Sequence, residues 1–185
     1  MSSLDANRWV KDYSDMLYRF ALPRVNDRDT ARDLVQETFL AAWRNADNFK
    51  GEISEKNWLF TILKNKIIDH YRKASTRLTV NLPETDQEDH FFDEAGHWQG
   101  AEGPQNWVPD AGKSLDRKEF YKVLENCRKN LKELQNIVFS MKYLDGFESE
   151  EICKELQLTP SNYWVLLHRA KLQLRSCLEK NWFLK

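Results

Sequence analysis

The 185-residue sequence contains only three cysteines, five prolines and six glycines. Cys127, Cys153 and Cys177 are odd in number and widely spaced along the chain. That pattern favours reduced thiols in a cytosol over a disulfide framework or a zinc site. We therefore expect the cysteines to be small core or surface residues.

Long apolar runs are also missing. No run approaches the roughly 20 residues that a membrane-spanning helix needs. The first residues, MSSLDANRWVKDY, have neither the basic start nor the apolar core of a secretory signal. We expect a soluble, cytoplasmic protein without a membrane span.

Patterns that would support catalysis are scarce. The four histidines, His70, His90, His97 and His168, have no metal-ligand spacing with the cysteines. The chain has no glycine-rich phosphate loop, and no Ser, His and Asp arrangement can be proposed from the sequence. The sequence therefore predicts no catalytic residue, no metal and no cofactor.

The net charge of −1 hides an uneven distribution. Residues 82–112 hold eight acidic residues and no Lys or Arg, so the rest of the chain carries −1 + 8 = +7. The same segment has three of the five prolines and four of the six glycines, which is typical of a linker. It also contains Phe91, Phe92, Trp98 and Trp107, which we expect to dock on the flanking domains or on a partner. We place the domains at 1–80 and 113–185, with the acidic linker at 81–112.

Helical periodicity extends over most of the remaining sequence. Before the linker it predicts helices at 4–22, 28–45 and 57–75, with breaks at 23–27 and 48–54. After the linker it predicts helices at 115–126, 131–144, 148–156 and 160–182. No segment shows sustained β alternation. The expected fold is all-α, with two small helical domains joined by a flexible acidic linker and a helix-turn-helix in the C-terminal domain.

The second predicted helix has one apolar face, formed by Ala31, Leu34, Val35, Thr38, Phe39 and Ala42. Residues three and four apart share a face, so the opposite side presents Asp33, Gln36, Glu37 and Leu40. This stripe is either an ordinary solvated face or a docking surface for a basic helix of another protein. The pattern alone leaves both interpretations open.

The third predicted helix combines cations with flat side chains. Its cations are Lys64, Lys66, Arg72 and Lys73, and its aromatic residues include Trp58, Phe60 and Tyr71. Single-stranded nucleic acid is bound by such a combination, because cations neutralise phosphates and aromatic rings stack on unpaired bases. Phe60 and Tyr71 are as well explained as core residues.

Residues 147–175 have the plan of a helix-turn-helix, with Pro160 in the first turn of the second helix. If Tyr163, Leu167, Ala170 and Leu174 are buried, the exposed side carries Asn162, Trp164, Val165, Leu166, His168 and Arg169. Asparagine can bind adenine and apolar groups can contact the thymine methyl, so these residues favour A·T-containing sites over guanine. Arg169, Lys171 and Arg175 are candidates for phosphate contacts. An ordinary helical hairpin is the alternative.

Three segments together carry a family resemblance: DTARDLVQETFLAAWRNADNFKG (29–51), NWLFTILKNKIIDHYRK (57–73) and LKELQNIVFSMKYLDGFESEEICKELQLTPSNYWVLLHRAKLQLR (131–175). In this order they resemble bacterial RNA polymerase sigma factors of the sigma-70 family, of the short extracytoplasmic-function type. The resemblance implies a promoter-specificity subunit that recognises minus-35 and minus-10 elements and assists DNA melting. Its implied partners are core RNA polymerase, through the β′ clamp helices and the β flap, promoter DNA and an anti-sigma factor.

The resemblance also assigns residues, position by position. The polymerase-binding residues it implies are Asp33, Gln36, Glu37 and Leu40. The minus-10 residues are Asn48, Lys50, Trp58, Lys64, Asn65, Arg72 and Lys73, with the loop at 48–57 capturing a flipped non-template base. The minus-35 residues are Ser161, Asn162, Trp164, Val165, His168, Arg169 and Lys171.

The sequence departs from this family at two places in the C-terminal domain. Trp164 and Leu166 stand where many relatives have Lys or Arg, and Gln157 replaces the glycine that is usual in the turn. Two other functions therefore stay open. One is a helix-turn-helix regulator that acts without polymerase, and the other is a sigma-like adaptor that binds polymerase without supporting transcription.

Overall fold

A computed structural model of the chain describes residues 6–79, 91, 97–99, 103 and 117–183. These residues form seven α-helices and no β-strand, which confirms the expected all-α fold. The chain divides into two compact units, Met1–Ala74 and Ser75–Lys185. Most of the predicted linker lies outside the described residues, so its limits stay a prediction. No helix among the described residues is long and apolar enough to cross a membrane.

The N-terminal unit is built on α1 (Ala6–Val25), α2 (Arg28–Arg44) and α3 (Glu55–Thr79) as far as Ala74, with a 3₁₀ turn at Ala46–Asn48. Helices α1 and α2 pack extensively against each other. The core of this unit buries Trp9, Leu17, Ala21, Ala31, Leu34, Val35, Ala42, Leu59, Leu63, Ile67 and Tyr71. Burial of these large apolar side chains is the main favourable contribution to the stability of the unit.

The predicted break at Pro23 is wrong, because α1 continues through Pro23 to Val25. Proline lacks an amide hydrogen, but so close to the helix end its loss removes only one hydrogen bond from the final turn. The helix ends instead at Asn26, whose φ of 58° lies in the left-handed region that asparagine tolerates. Asp27 then caps α2 by accepting a hydrogen bond from the Thr30 amide at 2.7 Å. Hydrogen bonds from Thr30 lower the pKa of the Asp27 carboxyl.

The C-terminal unit contains α4 (Arg117–Lys129), α5 (Glu133–Tyr143), α6 (Ser149–Leu156) and α7 (Pro160–Leu178), which a π-helical turn continues at Glu179–Phe183. Helix α7 packs against α4, α5 and α6. Its buried residues are Tyr163, Leu166, Leu167, Ala170, Leu172, Leu174 and Ser176. Because three helices cover α7, its buried surface is wider than a single apolar stripe.

Part of the aromatic segment that precedes α4 packs within this unit. Phe91 is buried, and its carbonyl accepts a hydrogen bond from the Gln99 amide at 2.9 Å. The ring of Trp98 lies 4.4 Å from the guanidinium carbon of Arg175 in α7. Docking on a flanking domain is thereby confirmed for Trp98. Phe91 is buried, but Gln99, to which its carbonyl is hydrogen-bonded, belongs to the predicted linker, and Phe92 and Trp107 lie outside the described residues.

The expectation that the cysteines are all reduced thiols is wrong. Cys127 of α4 and Cys177 of α7 form a disulfide, and their Cα atoms are 5.7 Å apart. The two residues are 50 positions apart in sequence, and only the side-by-side packing of α4 and α7 brings them together. Cys153 in α6 stays free.

Gln157 ends α6 in the left-handed conformation, with φ 54° and ψ 39°. A side chain in that region costs about 1–2 kcal/mol relative to glycine. We therefore expect Gln157→Gly to raise the free energy of unfolding by about 1 kcal/mol, measured by urea denaturation. Lys154→Gly, inside the same helix, is the matched control and should lower it by a similar amount. Destabilisation by both variants would contradict the strain assigned to Gln157.

Candidate nucleic-acid interface

The exposed stripe predicted on α2 is present. Ala31, Leu34, Val35, Thr38 and Ala42 are buried, and the Thr38 hydroxyl is satisfied by the Leu34 carbonyl at 2.7 Å. Asp33, Gln36, Glu37 and Leu40 are therefore exposed on the other side of the helix. Leu40 keeps 51% of its surface exposed. Two carboxylates, an amide and an apolar side chain thus share one accessible face.

Trp43 extends the apolar part of this stripe, and the sequence analysis did not single it out. It follows Leu40 by three residues, which places the two on neighbouring positions of the helix surface. Its side chain is 64% exposed. The helical spacing could have predicted that Trp43 is exposed, because its position does not belong to the buried face of α2. Tryptophan is enriched among the residues that dominate protein interfaces, so Trp43 adds a candidate contact residue to the stripe.

An ion pair joins the stripe to α3. Lys66 Nζ lies 3.1 Å from Glu37 Oε2. Exposed pairs of this kind contribute about 0–1 kcal/mol, so a partner can replace either member at small cost. Glu37 is therefore held in place while remaining accessible.

A pocket of about 210 Å³ lies between α2 and α3. Its walls are formed by Ala41, Asn45, Trp58, Ile62, Asn65, Lys66 and Asp69. The lining offers an indole ring, two amides, an ammonium group and a carboxylate. Such a set can bind a flat, polar group, because the indole ring can contact its face and the polar side chains can hydrogen-bond to its edge. Of the residues predicted to bind the minus-10 strand, Trp58 and Asn65 are brought together here.

Trp58 is held from two sides. Its ring lies edge to face against Trp9, with centroids 5.9 Å apart, and close to Phe49 at 4.7 Å. Glu55 fixes Trp9 by accepting a hydrogen bond from its indole nitrogen at 3.1 Å, and it also pairs with Arg8 at 2.6 Å. Trp58 is therefore a rigid, half-buried wall of the pocket. Phe49 and Trp58 also bring together the two ends of the predicted loop at 48–57, whose residues from Glu55 onward belong to α3.

The basic residues of α3 lie along its exposed surface. Lys64, Asn65, Arg72 and Lys73 are all exposed, as are Asn48 and Lys50 in the predicted loop at 48–57. Arg72 pairs with Asp69, a pocket residue, at 2.8 Å. Tyr71 is 1% exposed and donates its hydroxyl to the Arg24 carbonyl at 3.1 Å, so it is a core residue and not a stacking platform. Phe60 is half-buried against Phe20.

Helices α6 and α7 form the expected helix-turn-helix. Leu158 of the turn is buried, and Thr159 caps α7 by accepting a hydrogen bond from the Asn162 amide at 3.2 Å. The Ser149 hydroxyl donates to Tyr163 Oη at 3.3 Å, which ties the start of α6 to α7. The predicted minus-35 residues that lie exposed on α7 are Ser161, Asn162, Trp164, Val165, His168 and Lys171. Arg169 is half-buried.

Two expectations for α7 are wrong. Leu166 is 7% exposed, because the packing of α5 and α6 as well as α4 widens the buried face of the helix. Arg175 is half-buried, with its guanidinium over Trp98 and its Nε 3.8 Å from Glu179 Oε2. A side chain engaged in this way is poorly placed for phosphate contacts. Trp164, in contrast, is 57% exposed and packs by its edge on Tyr163.

Known proteins with similar sequences share this organisation. Residues 9–77 match the family described as Sigma-70 region 2, and residues 122–174 match Sigma-70, region 4. A probable RNA polymerase sigma factor of Haemophilus influenzae is 42% identical over 87% of this chain and 83% of its own length. The ECF RNA polymerase sigma factor SigX of Bacillus subtilis is 27% identical over 90% of this chain and 80% of its own.

Among solved structures, the sigma factor RpoE of Bartonella quintana in complex with the anti-sigma factor NepR matches 95% of this chain and 97% of its own, with 24% identity and a TM-score of 0.42. The matches to both regions and the 42% identity over most of both chains establish the family. This chain belongs to the sigma-70 family of bacterial RNA polymerase sigma factors, in the extracytoplasmic-function class.

Proposed function

We propose that this chain binds core RNA polymerase in the cytoplasm and directs it to a subset of promoters. The observation that carries the proposal is the pocket of the N-terminal unit, which opens beside the acidic stripe of α2 and the basic surface of α3. One small unit thus has a surface for a protein partner and a site for an unpaired base. Its mechanism is recognition and strand separation and not catalysis.

The stripe of α2 is the proposed polymerase surface. Asp33 and Glu37 supply negative charge for a basic partner helix such as those of the β′ clamp, and Gln36 adds hydrogen bonds. Leu40 and Trp43 supply the apolar anchor between them, since both are largely exposed. Charge complementarity of this kind speeds association and fixes the register of two helices.

The surface of α3 and the pocket are the proposed minus-10 site. Lys64, Arg72 and Lys73 would neutralise phosphates of the melted strand. An extruded base would enter the pocket against Trp58, with Asn65 among the groups at its edge, and the loop at 48–57 would close over it. Because Trp58 is already held by Trp9 and Phe49, little ordering is needed when the base arrives.

The exposed side of α7 is the proposed minus-35 surface. Ser161, Asn162, Trp164, Val165 and His168 would face base edges in the major groove, with Arg169 and Lys171 nearer the backbone. Asn162 suits adenine, and Trp164 with Val165 suits the thymine methyl. The β flap and an anti-sigma factor are further partners that we propose from family membership.

Two other functions make different predictions. A helix-turn-helix regulator would bind its operator tightly without polymerase, so gel shifts with and without core enzyme separate it from a sigma factor. A sigma-like adaptor would bind polymerase but support no transcription. Reconstituted transcription on genomic DNA distinguishes the adaptor and also identifies the promoters.

The acidic stripe can be tested by Asp33→Ala combined with Glu37→Ala. We expect core-enzyme binding to weaken by about 10- to 100-fold, because two charges opposite a basic helix are lost. The measurement is the Kd for core polymerase by fluorescence anisotropy. Asp12→Ala with Asp15→Ala on α1 removes the same charge from another exposed surface and should leave the Kd within about twofold. Equal losses in both double variants would contradict the assignment.

The basic end of α3 can be tested by Arg72→Ala combined with Lys73→Ala. Two phosphate contacts are removed, so we expect open-complex formation to fall by about tenfold or more while core binding changes little. Permanganate footprinting of the melted region measures the first and anisotropy the second. Lys11→Ala with Arg19→Ala is the charge-matched control on α1. Similar losses of binding and melting would count against a minus-10 role.

The specificity of α7 can be tested by selecting functional minus-35 elements from a randomised promoter library. We expect A·T pairs at the contacted positions, and we expect Trp164→Ala to lower discrimination at one thymine by about 1 kcal/mol or more. Glu150→Ala in α6 provides an exposed control that should leave the preference unchanged. Selection of mostly guanine contacts by the unchanged protein would refute this reading of α7.

A further inference from the structure

The disulfide of the C-terminal unit lies where it can hold α7 to α4. Cys127 is 2% exposed and packs in one cluster with Leu131, Ala170 and Leu174. Cys177 lies in the last turn of α7, and Cys127 lies near the end of α4. The covalent bond therefore joins the C-terminal parts of the two helices inside their shared core.

The two cysteines differ in burial. Cys177 is half-buried, whereas Cys127 is enclosed. The Asn181 amide group donates to the Cys177 carbonyl at 2.8 Å and lies 3.5 Å from Cys177 Sγ. An incoming thiolate is therefore expected to attack at Cys177, the less buried of the two cysteines.

We propose that Cys127–Cys177 is a reversible thiol–disulfide site, a substrate for dithiol reductants, and that its redox state controls how firmly α7 is held. Disulfides that occur in cytosolic proteins are usually transient and redox-sensing, because the cytosol keeps most thiols reduced. A disulfide that joins α4 to the helix carrying the proposed minus-35 residues fits such a role. The consequence for DNA binding rests on the proposed function of α7, and the expectation of reversible reduction rests on the proposed cytoplasmic location, whereas the disulfide bond itself rests on the structure.

The exchange proceeds in two balanced steps. A thiolate of the dithiol attacks Cys177 Sγ, the sulfur–sulfur bond breaks, and Cys127 leaves as a thiolate that takes up a proton. The second thiol of the reductant then attacks the mixed disulfide and releases Cys177 as a thiol. Two electrons and two protons pass to the protein, and the reductant leaves as its own disulfide.

Cys153 does not compete in this exchange. It lies in α6, and partial burial together with the nearby Glu150 carboxylate raises the pKa of its thiol. A raised pKa lowers the thiolate fraction and hence the rate of attack on a disulfide. The chain therefore has one disulfide pair and one free thiol whose thiolate fraction is lowered.

The site can be tested on the full chain purified without reductant. Thiol titration in denaturant should give one thiol per chain before treatment with dithiothreitol and three after it. Reduction should lower the melting temperature of the chain reversibly, by about 10 °C or more, because a long loop is no longer closed in the unfolded state. Three thiols in the chain after air oxidation, or an unchanged melting temperature on reduction, would overturn the proposal.

Two variants serve as matched controls. Cys127→Ser with Cys177→Ser should melt at the lower temperature with and without dithiothreitol, whereas Cys153→Ser should shift as the unchanged chain does. The primary test is the reduction of the unchanged chain. If the double variant folds poorly, that test still decides whether the redox site exists. A shift that persists in the double variant would assign the effect to another group and overturn the proposal.

The coupling to α7 needs holoenzyme. We expect reduction to lower the affinity of holoenzyme for duplex DNA carrying the minus-35 element by at least about threefold, and the double serine variant to show no response. An unchanged affinity alongside a lower melting temperature would overturn the coupling. If neither redox state binds the element, the proposed function fails, while thiol titration and melting still decide on the redox site.

Discussion

The burial of one side of each functional helix is the constraint on which the proposed surfaces depend. An α-helix repeats every 3.6 residues. When its apolar side packs against a neighbour, the directions of its remaining side chains are therefore fixed as well. In α2 the burial of Leu34, Val35 and Thr38 turns Asp33 and Glu37 outward. In α7 three neighbouring helices bury a wider surface and leave a narrower strip exposed. The same packing energy that stabilises each unit therefore decides which residues a partner meets.

The N-terminal unit prepares its site by holding the residues around the pocket. Trp58 is braced by Trp9 and Phe49, and Glu55 braces Trp9 in turn. The charged residues are held more weakly, by the surface pairs Lys66–Glu37 and Arg72–Asp69. Such pairs contribute little to stability and are easily exchanged for contacts with a phosphate or a protein. The unit thus combines rigid aromatic walls with charges that remain available.

Much of the fold was predictable because its signals are local. Helical periodicity located the helices to within a few residues, and the α2 stripe was found from spacing alone. The predictions were wrong where tertiary packing determined the conformation or burial of a residue and a local sequence rule did not. Pro23 was tolerated because it lies near a helix end, Leu166 was buried by additional helices, and Arg175 was engaged by Trp98 from a distant part of the sequence.

The sequence by itself determined the helices, the charge distribution and the side of α2 that faces solvent, because these depend on residues within a few positions of one another. Tertiary structure alone decided three things: the pocket between α2 and α3, the cover over Arg175, and the bond between Cys127 and Cys177. Each depends on residues that are far apart in the chain and meet only when the helices pack. Periodicity reports which side of a helix is buried but not which helix covers it, and for that reason a disulfide between α4 and α7 had no signal in the spacing of the cysteines.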